Sequence, residues 1–251
     1  MPKRKLQLDR IYNMDCLEGM KQIEPKSVSL IVTDPPYWHH KSPGKPYSQR
    51  NQANTASKFA TSDLYNAEGS MMAGMSDFDG DHINELLDAC KSLMKIFNGY
   101  FFCSEAQVPY YCIWAEKNKL MSTILVWEKP VSIINKNRFS QNLEYIVRIY
   151  DYGTALNRVD NNALYNRVFH DAPVKGKEKL HPTQKPISIA QKLMQLSSKE
   201  GDLILDPFMG SATTAIACIK ENRRYIGFEI SKEYYGIAQN RIENEKEIRL
   251  S

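Results

Sequence analysis

The chain has 251 residues, of which 42% are hydrophobic and 25% charged, with a formal net charge of +4. Its size and composition suit one soluble α/β domain with room for a small insert, and its mild basicity is only a weak pointer to nucleic acid. The five cysteines include no CxxC pair, and no apolar stretch has transmembrane length. These features argue against a disulfide framework, a structural zinc site and a membrane protein, so we expect a cytoplasmic location.

The predicted elements alternate between strands and helices along most of the chain. In the first part we predict a strand or loop at 11–13, a helix at 16–23, a strand at 28–33, a long loop or insert at 38–80, a helix at 81–96 that Asn98-Gly99 ends, a strand at 100–103, a helix at 108–119, and strands at 122–127 and 141–150. In the second part we predict an irregular polar segment at 151–180, a helix at 186–198, a strand at 203–205, a helix at 211–221, a strand at 225–228 and a last helix from 231. This alternation predicts a doubly wound, mostly parallel sheet with functional residues at the carboxyl ends of its strands.

The strand at 28–33 ends in an unusual tetrapeptide, Asp34-Pro35-Pro36-Tyr37. Consecutive prolines remove two backbone donors and leave carbonyl groups able to accept hydrogen bonds. Asp34 adds a carboxylate acceptor and Tyr37 a flat aromatic surface. The combination suits a planar molecule that carries an amino group, although Asp-Pro also begins many ordinary surface turns.

The stretch GDLILDPFMGSATTAIACIKENRRYIGFEI contains a second candidate site. A buried strand ends at Asp206, a turn with small residues around Gly210 opens into a helix, and the next strand ends at Glu229. Small residues let a ligand approach the backbone, and an acid after the second strand is well placed for ribose hydroxyls. By itself, this stretch is explained equally well by an ordinary strand–turn–helix connection.

Together these segments resemble the DNA amino-methyltransferases that use S-adenosylmethionine, in which DPPY is the catalytic motif and DPFMGSGTT the cofactor motif. The order of the motifs, with the catalytic motif first and the cofactor motif last, is similar to that of the permuted β group of the family. Three other segments match as well, namely NMDCLEGM at 13–20, LVWEKP at 125–130 and HPTQKP at 181–186. The resemblance spans about residues 10 to 245 and implies one Rossmann-like catalytic domain over 1–251.

The resemblance also implies roles for individual residues. Glu229 would take the ribose hydroxyls and Asp15 the adenine end of the cofactor, while Thr183 and Lys185 would lie near its methionine part. The implied catalytic residues are Asp34, Pro35, Pro36 and Tyr37, and the implied cofactor-binding residues are Asp15, Cys16, Thr183, Lys185, Asp206, Phe208, Gly210, Ser211, Thr213 and Glu229. Ala212 stands where the family usually has a second glycine. We expect its methyl group to be tolerated if φ is negative there, with somewhat altered cofactor packing.

Within this family, Asp in the first position of the tetrapeptide is more typical of adenine N6 methylation and Ser of cytosine N4, so we expect a flipped adenine and keep cytosine N4 as the alternative. No metal is expected, since His39 and His40 are not spaced like ligands. The partner implied is double-stranded DNA, contacted by the inserts at 38–80 and 151–180. Four basic residues and no acid lie between Pro35 and Ser62, which fits phosphate contact but also a solvated loop.

Other classes and partners remain to be tested. A nicotinamide-dependent oxidoreductase should carry GxGxxG, which is missing here, and methyltransferases of RNA or protein amides often have Asn first in the motif and the unpermuted order. A non-catalytic DNA-binding relative would need only the basic loops, and measuring cofactor binding would distinguish it from an enzyme. A second copy of the chain and a cognate restriction endonuclease are further partners to test for.

Overall fold

The computed structural model describes residues 6–37, 78–130, 139–140, 142–176, 179–180 and 184–250. Its helices and strands alternate as the sequence predicts. The elements are β1 (Arg10–Tyr12), α1 (Cys16–Met20), β2 (Leu30–Thr33), α2 (Gly80–Ser92), β3 (Asn98–Cys103), α3 (Val108–Lys117), β4 (Met121–Glu128), β5 (Leu143–Tyr150), β6 (Val168–Phe169), α4 (Ile187–Ser197), β7 (Leu203–Asp206), α5 (Thr213–Lys220), β8 (Arg224–Phe228) and α6 (Lys232–Leu250). None of the helices in these ranges is long and apolar enough to cross a membrane.

The strands form one sheet in the order β1-β8-β7-β2-β3-β5-β4-β6. All neighbours pair in parallel except β5, which is antiparallel to both β3 and β4. The prediction of a mostly parallel sheet is therefore confirmed. Because β5 runs the other way, its first residues lie at the edge where the other strands end, which we call the carboxyl edge.

Helices cover both faces of this sheet. One apolar cluster joins the sheet to α4, α5 and α6, and a second joins its other face to α1, α2 and α3. Strands β2 and β3 are buried along their whole length, as a continuous apolar run such as Leu30–Val32 predicts for a central parallel strand. Sites in α/β proteins lie at the carboxyl edge of such a sheet.

The sheet reverses its winding between β7 and β2. From β7 the chain passes through α5 to β8 on one side, while from β2 it passes through α2 to β3 on the other. Connections that leave in opposite directions open a crevice above the two strand ends. Asp34 and Asp206, the first residues of the two predicted motifs, stand at this crevice.

The prediction that Asn98-Gly99 ends a helix is wrong, since both residues are the start of β3. A Cβ at Gly99 would lie 2.8 Å from the Phe101 ring, so the glycine permits close packing inside the sheet. The helix α2 ends earlier than predicted, because the chain leaves it to form a bridge between Met94 and Val28. Likewise α1 ends at Met20, three residues before the predicted end.

Both predicted inserts include some regular structure. Most of the first insert, residues 38–77, lies outside the described residues, as do His39 and His40. At its end Phe78 is buried and Asp79 caps α2 through the backbone N–H groups of Asp81 and His82. The segment 151–180, predicted as irregular, contains a short 3₁₀ turn and the edge strand β6.

Candidate active site

The ends of β2 and β7 are joined by a buried hydrogen bond. The Thr33 hydroxyl donates to Asp206 Oδ1 over 2.7 Å, although the two residues are 173 positions apart in the chain. The backbone N–H of Phe208 donates to the same oxygen at 3.0 Å. Burial, partly offset by these hydrogen bonds, raises the pKa of Asp206 to about 6. The bond keeps the DPPY segment directly beside the turn that follows β7.

Asp34 is held through one of its two carboxylate oxygens. Lys185 Nζ lies 2.6 Å from Asp34 Oδ2, and the lysine side chain is only 7% exposed. Asp34 Oδ1 is buried and has no hydrogen-bond partner among the described residues. Burial of an acceptor without a donor is costly, so this oxygen is a candidate ligand contact. Lys185 thus contacts the catalytic motif, whereas the family resemblance implies a position near the methionine part of the cofactor.

Tyr37 is anchored by a residue that the sequence analysis missed. Its hydroxyl donates to Glu144 Oε2 over 3.0 Å, and Lys185 Nζ lies 3.2 Å from the same oxygen. Lys129 pairs with the other oxygen of Glu144. Asp34, Lys129, Glu144 and Lys185 form what we call the charged cluster. Glu144 reaches it because β5 begins at the carboxyl edge.

Electrostatics fixes the charge states within the charged cluster. Burial raises the pKa of Asp34 above its ordinary value, Lys185 opposes that shift and Glu144 adds to it. Although burial opposes the shifts, Lys185 and Lys129 hold the pKa of Glu144 low, and Asp34 and Glu144 raise the pKa of Lys185. At neutral pH, Glu144 and Lys185 are therefore charged.

Gln107 fixes the backbone of the catalytic motif. The side chain is 1% exposed and donates to the carbonyl oxygens of Pro36 at 2.9 Å and Phe78 at 3.0 Å. Its own oxygen accepts from the backbone N–H of Ser104. These two bonds hold the backbone of the motif beside Phe78.

The turn after β7 is held by Glu229. Glu229 Oε2 accepts from the N–H of Gly210 at 2.9 Å, and Oε1 accepts from the N–H of Ser231 at 2.8 Å. Burial, partly offset by these bonds, raises the pKa of Glu229. Beside this turn a pocket is lined by side chains from both motifs. The pocket brings together seven predicted site residues, Asp34, Lys185, Asp206, Phe208, Gly210, Ser211 and Thr213.

Ala212 adopts a left-handed backbone, with φ +68° and ψ 29°, and Gly210 has φ +53°. The condition under which the methyl group would be tolerated, a negative φ, is therefore not met. The turn is clamped from α6, where Arg241 donates to both the carbonyl and the hydroxyl of Ser211. Left-handed alanine costs roughly 1–2 kcal/mol, and surrounding contacts must hold it in place.

Asp15 caps α1 next to the Glu229 segment. Its Oδ1 accepts from the N–H of Leu17 at 2.9 Å, while Oδ2 is buried and has no partner among the described residues. Asn13 ties this turn to the backbone carbonyls of Glu229 and Ile230. Cys16 is buried, which raises the pKa of its thiol well above the ordinary value and keeps it protonated. Thr183 lies outside the described residues.

These residues fit S-adenosylmethionine. The unpartnered Oδ2 of Asp15 is an acceptor suited to an amino group, and the oxygens of Glu229 retain lone pairs for hydroxyl groups. The positive φ angles of Gly210 and Ala212 make a tight turn beside the pocket. Over the ranges that the structure covers, no three His, Cys, Asp or Glu side chains are grouped to hold a metal ion.

Comparison with known sequences identifies relatives along nearly the whole chain. The N6/N4 methyltransferase family model, described as DNA methylase, matches residues 28–240. The Type II methyltransferase M2.DpnII of Streptococcus pneumoniae is 26% identical over 94% of this chain and 90% of its own length. The DNA adenine methyltransferase YhdJ of Escherichia coli K12 is 24% identical, with 93% and 82% covered.

Solved structures share the same architecture. The crystal structure of the M1.HpyAVI–SAM complex has a TM-score of 0.66 and 22% identity, and the match covers 93% of this chain and 98% of that one. The cytosine-N4-specific PvuII DNA methyltransferase has a TM-score of 0.70 and 15% identity, with 97% and 92% covered. At these identities the likeness concerns the fold alone.

Proposed function

Because the chain belongs to the DNA methylase family, we propose that it transfers a methyl group from S-adenosylmethionine to N6 of an adenine flipped out of duplex DNA. The observation that carries this proposal is the state of Asp34. One carboxylate oxygen is held by Lys185, while the other is buried and without a partner among the described residues, beside the pocket of the cofactor motif.

The chain's residues bind and orient the reactants. S-adenosylmethionine supplies an electrophilic methyl group on its sulfonium. Asp34 Oδ1 and the Pro35 carbonyl accept the hydrogens of the amino group, which favours a tetrahedral nitrogen and stabilises the positive charge that develops there. Tyr37 provides the surface on which the base stacks, with its hydroxyl held by Glu144. Alignment of the two reacting atoms supplies most of the remaining rate enhancement.

Around the cofactor we assign the remaining predicted residues. Glu229 binds the ribose and Asp15 the adenine end, and the turn at 206–213 supports the rest of the molecule. Lys185 is reassigned from the methionine part to Asp34, since its ammonium group contacts two carboxylates of the charged cluster. Thr183 stays with the cofactor by resemblance alone.

The choice of adenine depends on the first residue of the DPPY motif. The similar proteins include one with an adenine-specific name and one described as cytosine-N4-specific. Asp34 in the first position favours adenine. The substrate we propose is duplex DNA, contacted by the segments 38–80 and 151–180, and a cognate restriction endonuclease fits the Type II name of M2.DpnII. A homodimer remains to be tested by sedimentation.

The test is to express the chain in a host without DNA methylation and to measure methylated nucleosides by mass spectrometry of the digested genome. We expect N6-methyladenine, with long-read sequencing giving the recognition sequence. Asp34→Asn is the control, which should retain the shape but lose activity. N4-methylcytosine in place of N6-methyladenine would overturn the base assignment. A chain that binds S-adenosylmethionine but methylates no DNA would overturn the activity.

A further inference from the structure

With both of its carboxyl groups ionised and both of its lysines protonated, the charged cluster has a net charge of zero. Asp34 and Glu144 contribute two negative charges, and Lys129 and Lys185 contribute two positive ones. The side chains of Lys185 and Glu144 are 7% and 15% exposed, and that of Asp34 is 23% exposed. Water screens such groups weakly, so each charge acts on its neighbours and on any ligand bound beside Asp34.

Methyl transfer moves positive charge towards Asp34. As the bond from the amino nitrogen to the methyl carbon forms, the bond from carbon to sulfur breaks with its electron pair on sulfur. The positive charge of the sulfonium thereby appears on the nitrogen, which later releases a proton to water. That nitrogen would be hydrogen-bonded to one oxygen of Asp34, while Lys185 already occupies the other oxygen. Lys185 alone would therefore repel the developing charge.

Glu144 is placed to cancel that repulsion. Its Oε2 lies 3.2 Å from Lys185 Nζ and 3.0 Å from the Tyr37 hydroxyl, so it contacts both groups that flank Asp34. Lys129 pairs with the other oxygen of Glu144, which limits the excess of negative charge. The Tyr37 ring lies 5.0 Å from Lys185 Nζ, which adds a weaker attraction for the same ammonium group.

Resting on the proposed function, we propose that Glu144 is a positioning residue for methyl transfer, which neutralises Lys185 and holds Tyr37 so that positive charge can develop next to Asp34. The two charges concerned are the negative charge of Glu144 and the positive charge that develops on the nitrogen. At a separation of about 5 Å and the effective dielectric of a protein site, two unit charges interact strongly enough to change a rate on the order of a hundredfold. The effect belongs to the chemical step, because the charge on nitrogen develops only in the transition state.

The test is a double-mutant cycle measured by single turnover on cognate DNA. Glu144→Gln gives the cluster a net charge of +1, and we expect the rate to fall on the order of a hundredfold. The single variant Lys129→Met completes the cycle. The double variant Glu144→Gln/Lys129→Met restores neutrality, and we expect it to be at least about tenfold faster than Glu144→Gln alone. Glu144→Asp, which keeps the charge, should stay within about threefold to tenfold of the wild type.

A matched control removes an acid from a salt bridge outside the charged cluster. Asp9 lies 2.6 Å from Arg224, with side chains 32% and 46% exposed, at the start of β8 and so at the end of that strand opposite the carboxyl edge. Asp9→Asn should leave the single-turnover rate within about twofold of the wild type. Thermal unfolding and S-adenosylmethionine affinity, measured by calorimetry, are read for every variant. A variant that has lost its fold is then recognised by those measurements and not by its rate.

A pH profile gives a second readout that a purely structural role would not move. The negative charge of Glu144 raises the pKa of Asp34, so Glu144→Gln should shift the acid limb of the rate to lower pH. The groups that act on Asp34 are Lys185, Glu144 and Tyr37, and those it acts on in turn include Cys103, Tyr111 and Asp206. Of these groups only Glu144 is replaced in this variant, and the loss of its charge also lowers the pKa of Lys185 and of Tyr37.

Three outcomes are informative. Recovery in the double variant together with the shifted acid limb supports the role of Glu144. A double variant as slow as Glu144→Gln, or slower by the product of the two single effects, overturns it, as does an unmoved acid limb. A wild type that methylates no DNA would defeat the proposed function before the variants are compared, so the two failures are distinguishable.

Discussion

Ala212→Gly tests whether the cofactor turn stores backbone strain. Ala212 is fully buried with φ +68°. Replacement by glycine should relieve roughly 1–2 kcal/mol of left-handed strain. Against this relief stand the lost burial of one methyl group, about 0.8 kcal/mol, and the greater freedom of glycine in the unfolded chain, about 0.4–1 kcal/mol. We therefore expect almost no net change in the free energy of unfolding.

Ala217 supplies the matched control. It is fully buried in the interior of α5, and it is not among the residues with positive φ. Ala217→Gly loses the same methyl group and helix propensity with no strain to relieve, so we expect a loss of about 2 kcal/mol. Urea unfolding followed by circular dichroism measures both variants. Equal losses at the two positions would show that the turn of Ala212 is unstrained.

The clamp from α6 extends this prediction. Arg241 contacts both polar groups of Ser211, the residue before the strained alanine. Arg241→Met should weaken S-adenosylmethionine binding about tenfold, because the turn relaxes away from its binding geometry. Adding Ala212→Gly should recover part of that affinity, since the turn then needs less support. Calorimetry on the single and double variants measures this coupling, and strictly additive losses would contradict it.

Other predictions concern the carboxylates and Tyr37. Asp34→Ala should abolish methyl transfer with S-adenosylmethionine affinity nearly intact, whereas a parallel fall in affinity would refute its assignment to the target base. Glu229→Ala should weaken cofactor binding, as calorimetry would measure. It should also lower the free energy of unfolding by about 1.5–3 kcal/mol for each of the two charge-assisted hydrogen bonds lost to Gly210 and Ser231, as urea unfolding would measure. Tyr37→Ala should raise the cost of base flipping, read by 2-aminopurine fluorescence, because about 1–3 kcal/mol of stacking is lost, while Tyr37→Phe should retain most of it. Because burial raises the pKa of Asp206 to about 6, its folded form binds a proton more tightly than the unfolded chain. As the pH rises from about 4 to 6, the free energy of unfolding of the wild type should therefore fall relative to that of Asp206→Asn, by at most about 3 kcal/mol. A difference that does not change with pH would refute the raised pKa of Asp206.

Much of the fold follows from local patterns in the sequence. The apolar run at Leu30–Val32 and the strand ending at Asp206 are continuous and short, which is typical of strands buried on both faces. The error at Asn98-Gly99 has a tertiary cause. The pair has the composition of a turn, but Gly99 is needed where Phe101 packs across the sheet.

The sequence predicts the site residues that lie close together in one short motif. It does not predict the residues that are distant in sequence and contact the motifs only in the folded protein. Nothing in the sequence around Glu144 indicates that β5 runs antiparallel, so its approach to Lys185 could not be read. The same holds for Gln107 and Arg241, which act on backbone carbonyls from distant helices. The positive φ of Ala212 depends on the geometry of the whole turn and not on alanine's own preference.

The bond between Thr33 and Asp206 has a consequence for synthesis of the protein. A ribosome that has released only the first half of the chain exposes β2 with β3 on one side and an unpaired edge on the other, since β7 is still unmade. The pair of β2 and β7 at the centre of the sheet can thus form only late in synthesis, and contacts so distant in sequence form slowly. Until then the open edge of β2 can pair with another nascent chain, so yield in the cell should depend on how fast translation reaches Asp206.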